Sequence, residues 1–221
     1  LWDVRDDGEP DRLSGHSSWI TSLAVTTNGR WLASGSYDRT VRLWDLQKNS
    51  VRPEVFKAHQ GAVKSIAFSA EGRRLASGGA DRTAILWDLE KKRPIKTLSG
   101  HGGGVRAVRF SPDGTQFATA SEDGSVRLWN AETGERIRSL TGHAGMVWSL
   151  AYSRDGKLLA SGGFDQTVRL WDAQGGKRLA VLRGPKTPVI DVAFGKDAGV
   201  LFVAAQEPTL RRYAASPETK P

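Results

Sequence analysis

The 221-residue chain carries 32 Lys and Arg against 24 Asp and Glu, a formal charge of +8, and no cysteine, which excludes disulfides, thiolate metal sites and a cysteine nucleophile. No apolar run approaches the roughly 18 residues of a membrane-spanning helix, no signal peptide is visible, and no membrane partner is expected. Lack of cysteine fits a reducing compartment and favours the cytoplasm, while the basic charge admits acidic partners, nucleic acid among them.

The chain opens at Leu1-Trp2-Asp3, without a methionine and in the middle of a repeating unit. Tryptophan followed by an acid or amide returns at Trp44-Asp45, Trp87-Asp88, Trp129-Asn130 and Trp171-Asp172, at steps of 42, 43, 42 and 42 residues, and a further 42 lead to Tyr213. A small residue before histidine recurs as Gly15-His16, Ala58-His59, Gly100-His101 and Gly142-His143, always 28 residues before its tryptophan. The one extra residue falls between Trp44 and His59, in a loop stretch. A fixed spacing with a variable remainder is what rigid units joined by tolerant loops produce. Residues 1–14 then read as the end of a preceding repeat plus an outer strand. Repeats follow at about 15–57, 58–99, 100–141, 142–183 and 184–214, with a tail at 215–221.

Each unit reads as four short strands; in the second they are AVKSIAF, RRLASG, TAILW and PIKTL. The turn after the first strand carries Asn28-Gly29, Glu71-Gly72, Asp113-Gly114 and Asp155-Gly156, pairs that accept positive φ. Segments such as LWD and SIAF are apolar on both sides, which suits a sheet covered on both faces by other sheets. The glycine run at residues 100–105 lacks the spacing and strand-to-helix setting of a nucleotide loop and reads as an inter-blade turn.

Units of about 42 residues with a leading Gly-His and a closing Trp-Asp resemble the WD-repeat family over nearly the whole chain. The resemblance implies an all-β fold, a β-propeller of four-stranded antiparallel blades with five WD-type repeats visible. It also implies a hydrogen-bonded tetrad in each blade. The matching residues are His16, Ser34, Asp38 and Trp44, then His59, Ser77, Asp81 and Trp87. The third unit supplies His101, Thr119, Asp123 and Trp129, and the fourth His143, Ser161, Asp165 and Trp171. A buried carboxylate, a histidine, a hydroxyl and an indole N–H can satisfy one another in one network. In the fifth unit these places hold Pro185, Val203, Glu207 and Tyr213, so the network is expected to be lost as a set.

Histidine, serine and aspartate recurring together invite comparison with a hydrolase triad. Four equivalent copies tied to a tryptophan argue instead for a structural lock, and they consume all four histidines of the chain. No catalytic residue, metal ligand or cofactor is assigned.

In WD-repeat proteins the partner surface is the face around the narrow end of the channel. The third and fifth residues after the histidine, and the residue before the tetrad aspartate, reach it. Carried over, these are Trp19, Thr21 and Tyr37; Ala62, Lys64 and Ala80; Gly104, Arg106 and Glu122; Met146, Trp148 and Phe164; and Pro188, Ile190 and Gln206. Large aromatics and arginine are the types that carry binding energy. The expectation is a non-catalytic scaffold holding a protein or peptide, with Lys64 and Arg106 favouring an acidic or phosphorylated stretch. Trp19 and Trp148 have a competing reading as rings packed into blade junctions.

Two further readings stay open: a nucleic-acid-associated propeller, and a regulatory module fused to an upstream catalytic domain. Against the first, Lys91, Lys92, Arg93, Arg136, Arg138, Lys177 and Arg178 all lie between a tryptophan and the next histidine, and Arg42, Arg127, Arg169 and Arg211 sit two residues before the tryptophan place, which spreads the charge over loops and blade sides instead of one stripe. Blade number is also open. Either residues 10–14 close a five-bladed ring, or the chain is the C-terminal part of a roughly seven-bladed ring, which the mid-repeat start favours.

Overall fold

A computed structural model describes residues 12–48 and 52–214. Its strands follow the repeat. The first sheet is β1 (Ile20–Val25), β2 (Trp31–Ser36), β3 (Thr40–Asp45) and β4 (Glu54–Lys57). The second is β5 (Val63–Phe68), β6 (Arg74–Gly79), β7 (Ala84–Asp88) and β8 (Arg93–Leu98). The third holds β9 (Val105–Phe110), β10 (Gln116–Ser121), β11 (Val126–Asn130) and β12 (Arg136–Leu140), and the fourth β13 (Val147–Tyr152), β14 (Leu158–Gly163), β15 (Val168–Asp172) and β16 (Arg178–Leu182). The fifth contains β17 (Val189–Phe194), β18 (Val200–Ala205) and β19 (Leu210–Ala214). Strands in every sheet pair antiparallel with their chain neighbours. No helix occurs among the described residues.

The turn glycines behave as their dipeptides require. Gly29, Gly72, Gly114 and Gly156 have φ of 68, 70, 71 and 70°, in the left-handed region where a β-carbon is penalised. Each therefore reverses the chain within a few residues and sets the register of the inner pair of strands.

Sheets pack face to face, which explains the lack of polar–apolar alternation. In β6 every residue after Arg74 is buried, and in β10 every residue after Gln116. Apolar clusters lie between consecutive sheets; one joins Val41 and Leu43 of the first sheet to Ile66, Leu75 and Trp87 of the second. The approach is close. A β-carbon on Gly78 would sit 2.5 Å from a methyl of Val105 in the next sheet, so only glycine lets β6 meet β9 at this distance. A hydroxyl staples three of the junctions as well: Ser22, Ser65 and Ser149 accept the backbone N–H of Ile66, Val108 and Val192 in the following sheet.

The innermost strands β1, β5, β9, β13 and β17 stand side by side around a channel of about 530 Å³. The first and fifth sheets are not packed on each other, so the five form an open arc. Leu23 of β1 is 63% exposed, whereas its register equivalents Ile66, Val108, Leu150 and Val192 are buried by the preceding sheet. Of the segment 10–14, residues 10 and 11 lie outside the described residues and 12–14 form no strand. The expected repeat end at Trp2-Asp3 and the tail at 215–221 also lie outside them.

Candidate functional site

Loops at one end of the arc carry the histidines and aspartates, and the four tetrads are built alike. Trp44 Nε1 donates to Ser34 Oγ at 3.0 Å, Ser34 Oγ lies 2.7 Å from His16 Nε2, and His16 Nδ1 lies 2.7 Å from Asp38 Oδ2. The corresponding distances are 2.8, 2.8 and 2.9 Å through Trp87, Ser77, His59 and Asp81. They are 2.9, 2.8 and 3.0 Å through Trp129, Thr119, His101 and Asp123. Through Trp171, Ser161, His143 and Asp165 they are 2.9, 2.8 and 2.9 Å. Indole N–H to hydroxyl, hydroxyl to Nε2 and Nδ1–H to carboxylate is the only direction that satisfies every donor with a neutral imidazole.

Two partners in this network were missed in the sequence. A hydroxyl two residues beyond each aspartate donates to its Oδ1: Thr40, Thr83, Ser125 and Thr167, at 2.7, 2.8, 2.7 and 2.8 Å. The backbone N–H of the residue after each histidine, in Ser17, Gln60, Gly102 and Ala144, donates to the same carboxylate. Burial alone raises the carboxyl pKa of Asp38, Asp81 and Asp123, but these hydrogen bonds outweigh it and hold all three well below the usual carboxylate range. Burial pushes the imidazoles of His101 and His143 below their ordinary value, opposed by Asp123 and Asp165. Low carboxyl pKa values keep these aspartates ionised, and both ring nitrogens of each histidine are engaged within the blade.

In the fifth sheet no hydrogen bond joins the four tetrad places among the described residues, but the loop cap outside that tetrad remains. Glu207 Oε2 still accepts the loop N–H, here from Lys186 at 3.3 Å, and its other oxygen pairs with Arg211 Nη2 at 2.5 Å. Tyr213 donates its hydroxyl to the Arg183 carbonyl at 3.0 Å. The carboxylate cap survives; the histidine relay is replaced by the buried Val203.

Around the same end lie the positions carried over as partner contacts. In every sheet the residue before the acid donates its backbone N–H to the carbonyl of the third residue after the histidine place. The pairs are Tyr37 to Trp19, Ala80 to Ala62, Glu122 to Gly104, Phe164 to Met146 and Gln206 to Pro188. The fifth-residue column, Thr21, Lys64, Arg106, Trp148 and Ile190, lines the channel. Trp19 is 79% exposed and meets Tyr37 (45% exposed) edge to face at 5.9 Å. Lys64 bonds the Tyr37 hydroxyl at 2.7 Å and lies 3.9 Å from its ring centre; this contact keeps the Tyr37 pKa low. In the fourth sheet, half-buried Trp148 meets Phe164 (47% exposed) edge to face at 5.7 Å, with half-buried Met146 beside them in sequence.

Several of these side chains are already engaged. The Thr21 hydroxyl lies within bonding distance of the Gly35 and Val63 carbonyls, so it ties the first junction rather than facing a partner. Arg106 Nε donates to Glu122 Oε1 at 2.7 Å, and the two charges answer each other. Trp19 belongs to the first sheet, which has no preceding sheet against it among the described residues, and shares the exposure of Leu23 there, while Trp148 is partly inserted, with its indole N–H buried and lacking a partner among the described residues.

Four-stranded meanders arranged blade by blade around a channel, with a Trp-hydroxyl-His-Asp relay in each complete blade, define a propeller module of the WD type. The model of the family described as the IFT122 first beta-propeller matches residues 50–220, and that of the WD domain, G-beta repeat, matches residues 10–45. The chain belongs to this WD-repeat β-propeller family. Among curated relatives it is 48% identical over 40 residues to the pre-mRNA-splicing factor prp46 of Emericella nidulans, covering 18% of this chain and 9% of the relative. It is 48% identical over 46 residues to the periodic tryptophan protein 2 homolog of Neurospora crassa, covering 21% and 5%. With the nuclear distribution protein PAC1 of Candida albicans the identity is 56% over 34 residues, covering 15% and 7%. The chain thus matches less than a tenth of each relative's length.

Proposed function

We propose that this protein is a non-catalytic scaffold that holds a segment of a partner protein across the histidine-bearing end of the arc. The observation that carries this reading is the pair of aromatic clusters, Trp19 with Tyr37 in the first sheet and Trp148 with Phe164 in the fourth, at corresponding places of the repeat. Rings that remain accessible while fixed by neighbours lose little entropy on binding and bury much apolar area, the usual make-up of an interface anchor. The tetrads supply rigidity to the loops that present them. The names of the relatives describe components of larger processes and no enzymes, in keeping with a binding role.

The acidic preference first attached to Lys64 and Arg106 is weakened by their engagement with Tyr37 and Glu122. Apolar anchoring therefore dominates the reading. Replacing Trp19, Trp148 and Phe164 together by alanine is expected to leave the unfolding midpoint close to the parent and to abolish capture of partners in a side-by-side pull-down. A partner recovered equally by parent and triple variant would overturn the proposal.

A further inference from the structure

One residue in the channel departs from the repeat. At the register of Ala24, Ala67, Ala151 and Ala193, the third blade carries Arg109. Its side chain lines the channel and is accessible there, yet its only side-chain hydrogen bond among the described residues is from Nη1 to the adjacent Val108 carbonyl at 2.8 Å. No carboxylate lies within 4.0 Å of it among the described residues, and the other cations of the wall, Lys64 and Arg106, are engaged as described above. Surrounding protein pushes the Arg109 pKa down, with the charge of Asp191 working the other way. Asp191, two sheets away on the same wall, is itself held by the Ser149 hydroxyl at 2.6 Å and the Val192 N–H at 2.9 Å.

Four blades show that alanine satisfies the fold at this register, so packing does not call for arginine. We propose that Arg109 is an anion receptor inside the channel, and that it takes a carboxylate side chain of an acidic partner segment lying across the channel mouth. This rests on the reading of that face as a peptide-binding surface. The planar guanidinium offers a fork of parallel donors matched to a carboxylate. The Asp191 carboxylate disfavours a dianion such as a phosphate at the same place, since like charge in a confined space raises the cost steeply. A channel of about 530 Å³ has room for a side chain together with water.

The test compares binding of a labelled oligoglutamate peptide and a matched oligoglutamine peptide to the full chain at low salt. The parent should prefer glutamate. Arg109→Ala should remove that preference, weakening oligoglutamate by roughly tenfold or more while leaving oligoglutamine unchanged. Asp191→Asn should tighten oligoglutamate. Equal binding of the two peptides by the parent, or a preference that survives in Arg109→Ala, overturns the proposal. So does displacement of oligoglutamate by low concentrations of inorganic phosphate, which would mark a simple anion site. The Trp19, Trp148 and Phe164 triple variant separates the two readings. If it loses both peptides while Arg109→Ala retains the glutamate preference, the channel proposal fails and the aromatic face stands. If Arg109→Ala removes the preference while the triple variant binds as the parent does, the aromatic face fails.

Discussion

In the fourth sheet the Asp165 carboxylate caps the Ala144 amide and continues through His143 and Ser161 to Trp171. In the fifth, Glu207 caps the Lys186 amide in the same way, but Val203 stands where Ser161 does and the relay ends there. Both sheets bury the leading valine of the inner strand completely, Val147 in one and Val189 in the other. Two jobs that look like one in the complete blades are therefore separable. Capping the entering loop needs only a carboxylate at the turn. Fixing that loop to the third strand needs the histidine, hydroxyl and indole together, and they can be dispensed with together because no donor is then left behind.

The sharpest way to break this comparison is to remove the acid from each sheet. Asp165→Ala strips the acceptor from a buried neutral histidine, a threonine hydroxyl and a loop amide, and at about 1–3 kcal/mol for each orphaned buried group should cost about 3–4 kcal/mol in urea unfolding. Glu207→Ala leaves an amide and a partly exposed arginine that can turn to water, at about 1 kcal/mol. Equal losses would mean that the relay adds nothing to the cap.

A smaller effect exchanges the central residue. Ser161→Val copies the fifth sheet into the fourth, and orphans the Trp171 N–H and the Nε2 of His143 in a site closed to water. A loss of about 2–3 kcal/mol is expected. The reverse change, Val203→Ser, buries a hydroxyl with neither histidine nor tryptophan to meet it and should cost about 1–2 kcal/mol. If Val203→Ser proved neutral, a local acceptor would have to replace the missing relay.

What could be read from the sequence follows from how far each contact reaches. The relay was legible because all its members belong to one unit at fixed offsets, and so were the turn glycines. The hydroxyls at Thr40, Thr83, Ser125 and Thr167 carry an equally regular signal, two residues after each acid, that a search limited to the tetrad passes over. The pairs Lys64–Tyr37 and Ser149–Asp191 join different units, so their geometry depends on how blades stand beside each other and no offset announces it. Arg106–Glu122 lies within one unit but recurs in no other. Arg109 could still have been noticed as the one charge in a column of alanines.

The second sheet offers a gentler test of the same idea, that substituted sets travel together. Elsewhere an arginine two residues before the tryptophan place crosses beneath the glycine that precedes the acid-bonded loop. A β-carbon on Gly100 would lie 2.3 Å from Arg127 Nη1, and Gly100 has φ of 117°. In the second sheet both members differ: Ala58 replaces the glycine and the buried Ile85 the arginine. Ile85→Arg alone should destabilise, and adding Ala58→Gly should recover about 1 kcal/mol or more of the loss. Strict additivity in this double-mutant cycle would show that glycine and arginine are chosen independently.

The mildest perturbation is protons. All four histidines lie in the tetrad sheets and none in the fifth, so stability changes in the histidine range report on the relays alone. His101 and His143 have folded-state pKa values below the ordinary value of about 6.5, chiefly through burial. Between the folded and unfolded values the unfolded chain binds more protons, so stability rises with pH in that window. Their contribution is complete above about pH 6.5 and is lost as pH falls toward the folded values. The depressed carboxyls Asp38, Asp81 and Asp123 act in the same direction lower down, below the ordinary aspartate value of about 3.9. The unfolding midpoint should therefore fall in two stages on acidification. Amide exchange should show the first stage in β9 to β16 before any change in the inter-strand amides of β17 to β19. A fifth sheet that loosens first on mild acidification would place the titrating groups elsewhere and break the link between buried histidine and blade stability.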